Sequence, residues 1–209
     1  MNKAYMRVNT LLRIAGVLLV SVCMISLLAF RQPAGAPNVG PEYSSDGQLR
    51  MPDNYREWIY LSSGFDMSYV PNQAAGHHMF DNVFVNPAAY KIFQQTGSWP
   101  DKTVFVLEIR EAQAKGSINQ SGNYQGTDVM GYDIHVKDET HFQGKWAFFN
   151  FNSGEKTSKM IPQSADCYSC HAAHAAVDTT FVQFYPTLLP IAKAKGTLSA
   201  AYQKETAGK

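Results

Sequence analysis

The chain has 209 residues, of which 45% are apolar and 12% aromatic, and its formal net charge is +1 at pH 7. A chain of this length and composition can bury the core of one domain. The nearly neutral charge excludes a broad basic face for nucleic acid and an acidic tail. No period of about 20 to 50 residues repeats, which excludes solenoids and propellers.

The N-terminal segment, residues 1–36, is predicted to be a signal peptide or a membrane anchor. Three basic residues precede an apolar run over residues 14–30. This order of charge and apolarity predicts a cytoplasmic N-terminus with the remainder of the chain exported. The run is slightly shorter than the ~20 residues of a membrane-spanning helix, and the small triplet at residues 34–36 resembles a cleavage site although Pro37 follows it. We therefore expect a periplasmic protein, either soluble after cleavage or tethered to the inner membrane.

Residues 37–50 are rich in Pro, Gly, Ser and Asn, which predicts a linker. The domain is predicted to cover residues 51–209. Alternating apolar positions and β-branched or aromatic residues predict its strands, which lie at residues 58–61, 79–85, 103–110, 129–137 and 146–151. In the strand over residues 103–110, Phe105 and Leu107 share one face.

Short helices are predicted near residues 54 and 87–97, around the cysteine motif after Pro162, and over residues 181–195. Prolines bend the last of these helices, and the polar residues that follow it are expected to fray. The predicted class is therefore mainly β (β+α), an antiparallel sheet with short helices and a helical C-terminal segment.

Cys167-Tyr168-Ser169-Cys170-His171 is the attachment pattern of c-type haem. One turn of chain between the two thiols lets them reach the two vinyl groups of the porphyrin, and the next residue points its imidazole at the iron. A disulfide, a redox dithiol and half of a zinc site are the alternatives. Zinc needs further ligands, and Cys23 lies in the apolar run rather than in the exported part. The pattern predicts one haem c attached through Cys167 and Cys170, with His171 as the metal ligand.

A second axial ligand is not evident in the sequence. No methionine follows His171, while Met130 and Met160 precede it and are more typical of core packing than of ligation. His174 lies too close along the same helix to reach the opposite side of the ring. The remaining candidates are predicted to be surface histidines: His77, His78, His135 and His141. The simplest prediction is five-coordinate iron with an open site, which binds small gases or performs chemistry.

Three stretches of the chain resemble the cytochrome P-460 family, which includes cytochrome c′-beta. They are residues 51–58, the Lys145-Trp146-Ala147-Phe148-Phe149 run, and the segment from the cysteine motif to residue 186. The resemblance covers about residues 51–195. It implies a mostly antiparallel β fold, a homodimer and a single five-coordinate haem c.

The resemblance also implies two branches of chemistry. Cytochromes P-460 carry a lysine on a distal strand that cross-links to the porphyrin edge, and they oxidise hydroxylamine. The c′-beta branch lacks the cross-link and binds nitric oxide or carbon monoxide in an apolar pocket. Leu107 stands where the lysine would fall, and leucine has no nucleophilic nitrogen. Phe105 and Leu107 are interpreted either as an apolar cap over the iron or as ordinary sheet core.

Asp133 looks like the distal carboxylate of the hydroxylamine-oxidising members and is a candidate catalytic base, although an aspartate at a strand end is more often solvated. Asp81 stands near the place of the family's distal arginine. The favoured function is a gas-binding cytochrome that takes nitric oxide. The alternative is a hydroxylamine- or nitric oxide-converting oxidoreductase, so enzymatic activity stays open. A simple electron carrier with an unidentified redox partner is the weakest reading, because no sixth ligand is evident.

Overall fold

The computed structural model describes residues 40–68 and 77–208. The predicted signal peptide or anchor, residues 1–36, lies outside these ranges. Among the residues that are described, no helix is both long enough and apolar enough to cross a membrane.

The described residues form seven strands in two antiparallel sheets. They are β1 (Leu49–Arg50), β2 (Ile59–Phe65), β3 (Met79–Val85), β4 (Val104–Ala114), β5 (Asn123–Lys137), β6 (Trp146–Asn152) and β7 (Thr157–Ser158). Strands β2 to β6 make a five-stranded sheet in which each strand pairs with the next along the chain, while β1 pairs with β7. Each connection joins strands that lie side by side, which is the arrangement of an antiparallel meander.

Four short α-helices accompany the sheets within the described ranges: α1 (Pro87–Thr96), α2 (Asp166–His174), α3 (Leu189–Lys195) and α4 (Ala200–Thr206). Helix α1 begins with a proline, whose fixed φ suits a first helical position. It ends at Gly97, which adopts the left-handed φ of 74° that a helix C-cap commonly needs. The predicted mainly β fold with an antiparallel sheet, short helices and a helical C-terminal segment is confirmed.

The five-stranded sheet separates two apolar cores. Successive residues of β4 point to opposite faces, so Val104 and Val106 pack on Tyr55 and the N-terminal residues of the domain. Phe105 packs on the other face with Trp99 and residues of the C-terminal helical segment. The predicted division of this strand into two faces is therefore correct. It places Phe105 and Leu107 on the side of the sheet that α2 covers.

Residues 40–50, which the sequence predicts as linker, pack against the domain. Leu49 is fully buried in the N-terminal core, and the Tyr43 hydroxyl donates to the carboxylate of Asp138 at 3.1 Å. The Pro-, Gly- and Ser-rich composition of this segment predicts a linker, although the side chains of Tyr43 and Leu49 anchor it to the domain.

The C-terminal residues form α4 instead of fraying as predicted. The Ser199 hydroxyl caps this helix by accepting a hydrogen bond from the backbone N–H of Tyr202 at 3.1 Å, which stabilises the first turn. Glu205 contacts His174 of α2 at 3.0 Å. The serine before a helical run was the sequence signal for this helix.

Glu108 is fully buried on the face of β4 opposite α2 and lies at the centre of an ionic network. Its carboxylate accepts hydrogen bonds from Arg110 at 2.6 Å and from the Tyr55 hydroxyl at 2.5 Å, and Arg56 lies 2.7 Å away. Burial alone would raise the pKa of Glu108, but the hydrogen bonds from Arg110 and Tyr55 and the charge of Arg56 lower it overall. The carboxylate is therefore ionised and joins the N-terminal residues to the sheet.

Glu108→Gln is expected to destabilise the fold by about 3 kcal/mol, because the largely buried Arg110 loses its counter-charge. Urea unfolding at neutral pH measures this loss. Since the folded pKa of Glu108 lies below its unfolded value, its contribution is complete above the unfolded pKa and disappears as the pH falls through the folded one. The variant should therefore lose part of the wild-type acid dependence. Glu111→Gln, an exposed change on the same strand, is the matched control, and equal stability of the two variants would contradict the prediction.

Candidate functional site

Helix α2 carries both cysteines and the histidine of the predicted attachment motif. Asp166 occupies its first turn, where a carboxylate is favourable at the positive end of the helix dipole. Cys167 and Cys170 are three positions apart and thus lie on one side of the helix. Both are free, half-buried thiols. His171 follows them with its ring 4.7 Å from the Phe148 ring of β6.

Tyr168, between the two cysteines, ties α2 to the sheet. Its hydroxyl donates to the Ile161 carbonyl at 3.0 Å and accepts from the backbone N–H of Phe148 at 3.1 Å. Its ring also stacks on Phe148 at 4.4 Å. These contacts fix the distance between the motif and β6.

The imidazole of His171 is held by the backbone of Thr179. Nδ1 lies 2.7 Å from the Thr179 carbonyl oxygen. Because a carbonyl only accepts, Nδ1 carries the proton and Nε2 keeps its lone pair. Burial lowers the pKa of His171, which the Thr179 carbonyl and the charge of Asp133 only partly offset. The ring is therefore neutral at neutral pH, with Nε2 in the form that ligates a metal.

A cavity of about 180 Å³ lies between His171 and the sheet. Pairing of neighbouring strands sets Leu107 opposite both Val83 and Asp133, and Phe105 opposite His135. The lining residues are Val83, Phe105, Leu107, Asp133, His135, His171, Thr180, Phe181 and Tyr185. Four of the predicted site residues therefore share one cavity: Phe105, Leu107, Asp133 and His171. Cys167 and Cys170 do not line this cavity but lie on the same helix as His171.

A second cavity of about 220 Å³ adjoins the first and shares five lining residues with it: Val83, Leu107, Asp133, Phe181 and Tyr185. Asp81 also lines it. Burial and the nearby charges of Asp133 and Asp66 raise the pKa of Asp81.

Asp133 is half-buried, and its carboxylate accepts a hydrogen bond from Asn150 at 2.8 Å. Asp133 lies within β5 rather than in a turn. The pleat of β5 turns its side chain towards the cavity.

His135 differs from its prediction as a surface histidine. It is half-buried, and its ring lies 4.2 Å from the ring of Phe148 and 4.7 Å from that of His171. Burial, and then the neighbouring His171, lower its pKa well below the ordinary value. The other three predicted surface histidines, His77, His78 and His141, are exposed as expected, as is His174. Met130 and Met160 are exposed as well, which differs from the expected core packing.

Thr179, Phe181 and Tyr185 are site residues that the sequence reasoning missed. They follow α2 in a tight turn and a short 3₁₀ segment, whose course no periodicity indicates. His135 carried a usable signal, since alternation along β5 puts it on the face of Asp133.

The donor set fits a covalently held haem. A neutral imidazole with a free Nε2 and two free thiols on one side of a helix are the groups that such a cofactor needs. A cavity with an apolar wall adjoins the imidazole. His171 would ligate the iron, and Cys167 and Cys170 would form the thioether bonds. A β-rich domain with this site falls in the class of haem-binding cytochromes.

A model of the cytochrome P460 family matches residues 52–182, and the chain belongs to this family. The resemblance inferred from the sequence is thereby confirmed. Family membership implies a cytochrome that binds haem c. No curated protein sequence matches the chain at significant similarity.

Proposed function

We propose that this protein is an exported cytochrome with one haem c, attached through Cys167 and Cys170 and ligated by His171, that binds nitric oxide or a similar small gas. The observation that carries the proposal is the apolar wall that β3 and β4 present to the cavity of His171. Val83, Phe105 and Leu107 form this wall. Among the described residues that line the cavity, none is a lysine or a methionine.

The residues of the site divide the task. The Thr179 carbonyl accepts a hydrogen bond from Nδ1 of His171, which fixes the orientation of the ring and leaves Nε2 unprotonated. The Val83, Phe105 and Leu107 side chains offer no hydrogen-bond donor, which suits an uncharged diatomic molecule and disfavours water. Leu107 lacks the amine that the family's cross-link requires. When bound, haem would supply a redox-active iron that can take a small ligand.

Export, periplasmic location and a homodimer belong to the same proposal. Export rests on the basic residues and the apolar run before residue 31, and the homodimer rests on the family resemblance. A redox partner is expected, because the iron has to be reduced before it takes most diatomic gases.

Leu107→Trp tests whether nitric oxide enters the cavity that the apolar wall bounds. The larger ring would fill much of the cavity beside His171, so we expect nitric oxide to associate at least about tenfold more slowly, or about 1.4 kcal/mol in barrier. Stopped-flow mixing of the reduced protein with nitric oxide measures this rate. Ile109→Trp is the matched control, because Ile109 lies on the same face of β4 but lines only the second cavity. Equal rates in the two variants would mean that the gas does not use this cavity.

Asp133 favours a second candidate function, the oxidation of hydroxylamine. Its half-buried carboxylate lines the cavity and is oriented by Asn150, so it is placed to accept a proton from a substrate. Steady-state turnover of hydroxylamine with an electron acceptor tests this candidate. An enzyme would lose about 10²-fold or more of its rate in Asp133→Asn and none in Asp128→Asn, an exposed change on the same strand. No turnover in the wild type would eliminate the candidate.

A further inference from the structure

The carbonyl that holds His171 belongs to a strained turn. Asp178 and Thr179 adopt φ values of 46° and 60°, the left-handed region that residues other than glycine occupy only at an energetic cost. Three hydrogen bonds close the turn: the Thr180 N–H and hydroxyl both donate to the Val177 carbonyl, at 2.8 and 2.6 Å, and the Val177 N–H donates to the Thr180 carbonyl at 3.3 Å. A turn in this conformation persists only where its surroundings hold it.

Lys137 holds the turn from the sheet side. This residue ends β5, and its side chain is only 9% exposed. Its ammonium group lies 2.5 Å from the Asp178 carboxylate and donates to the Trp99 carbonyl at 2.7 Å. The indole N–H of Trp99 in turn donates to the Thr180 hydroxyl at 2.8 Å. Lys137 and Trp99 therefore clamp the turn on both sides of Thr179.

We propose that Lys137 is a positioning residue for the axial histidine. Through Asp178 it fixes the turn, so that the Thr179 carbonyl stays on Nδ1 of His171 and increases the electron donation of the ring. This inference rests on the proposed function, in which His171 ligates the haem iron. It adds a residue from the far end of β5 to the control of the iron's electronic state.

Two effects of removing Lys137 have opposite signs, which makes the inference testable. Loss of the positive charge alone favours ferric iron and lowers the reduction potential. Loss of the hydrogen bond to Nδ1 weakens the donation of the imidazole, favours ferrous iron and raises the potential. The stretching frequency of the iron–histidine bond responds to the second effect and falls when the hydrogen bond to Nδ1 loosens.

The experiment compares the wild-type haem protein with Lys137→Met, Lys137→Arg and Lys145→Met. Resonance Raman spectra of the ferrous proteins give the iron–histidine frequency, and redox titration gives the potential. We expect Lys137→Met to lower the frequency and raise the potential, and Lys137→Arg to restore most of both. Lys145→Met is the matched control, because Lys145 is 60% exposed and pairs with Glu139 near Lys137 without contacting the turn. This control should leave the frequency unchanged.

Asp178→Ala provides a second variant if Lys137→Met does not fold or take up haem. It removes the carboxylate that pairs with Lys137. It also replaces an aspartate, which tolerates the left-handed backbone, with an alanine, so the iron–histidine frequency should fall here too. The positioning role would be overturned if the variants that fold keep the wild-type iron–histidine frequency and the reduction potential of Lys137→Met only decreases. A wild-type protein without any iron–histidine band would instead show that the proposed ligation by His171 is wrong.

Discussion

The His171→Gly protein is expected to lose the spectrum of histidine-ligated haem and to regain it when imidazole is added. The structure gives His171 a neutral ring with Nδ1 bound to the Thr179 carbonyl and Nε2 free. Glycine leaves a space of the shape of imidazole next to the cavity, and a soluble imidazole can enter it and donate the same hydrogen bond to the Thr179 carbonyl. Absorption spectra of the reduced variant, recorded across an imidazole titration, measure both the loss and the rescue.

His174→Gly is the matched control for this experiment. His174 lies on the same helix one turn later, but it is exposed and pairs with Glu205 rather than facing the cavity. Its replacement should leave the haem spectrum unchanged, and imidazole should have no rescuing effect. A spectrum that is lost in His174→Gly and kept in His171→Gly would show that the ligand has been assigned to the wrong histidine.

The second large effect is expected when both motif cysteines are replaced. In Cys167→Ala/Cys170→Ala no thioether bond can form, so any haem is held only by His171 and by packing against the cavity wall. Acidified organic solvent should then extract the whole pigment, whereas the wild type should retain its haem after denaturation. Haem staining of a denaturing gel measures the same difference.

The two single-cysteine variants should show a smaller loss of haem attachment than the double variant. Cys167→Ala and Cys170→Ala each keep one thiol on the same side of α2 and should retain covalent haem with a shifted reduced band. Retention of haem by the double variant in a denaturing gel would mean that another side chain carries the covalent bond.

Much of the site follows from strand alternation. The pattern of residues 103–110 predicts that Phe105 and Leu107 share a face, and the structure puts both on the cavity of His171. The same period applied to β5 would have added His135 to Asp133. This part of the site was predictable because a strand pattern with one buried face fixes the direction of every side chain.

The support behind His171 was not predictable in the same way. The Thr179 carbonyl is a backbone group in a turn with left-handed residues, and sequence patterns favour glycine there rather than aspartate and threonine. Lys137 is a charged residue at a strand end, which sequence patterns assign to solvent. Only the folded chain brings its ammonium group to Asp178, because the two residues are separated in sequence by β6, β7 and α2.

The most direct measurement is the absorption spectrum of the purified, reduced protein before and after nitric oxide is added. An ordinary high-spin haem c spectrum that shifts with one nitric oxide per haem is the expected result, because His171 is the only axial ligand proposed and Leu107 cannot cross-link the ring. A six-coordinate reduced spectrum that nitric oxide leaves unchanged would contradict the open site. A strongly red-shifted reduced band would contradict the absence of a cross-link and would favour hydroxylamine oxidation.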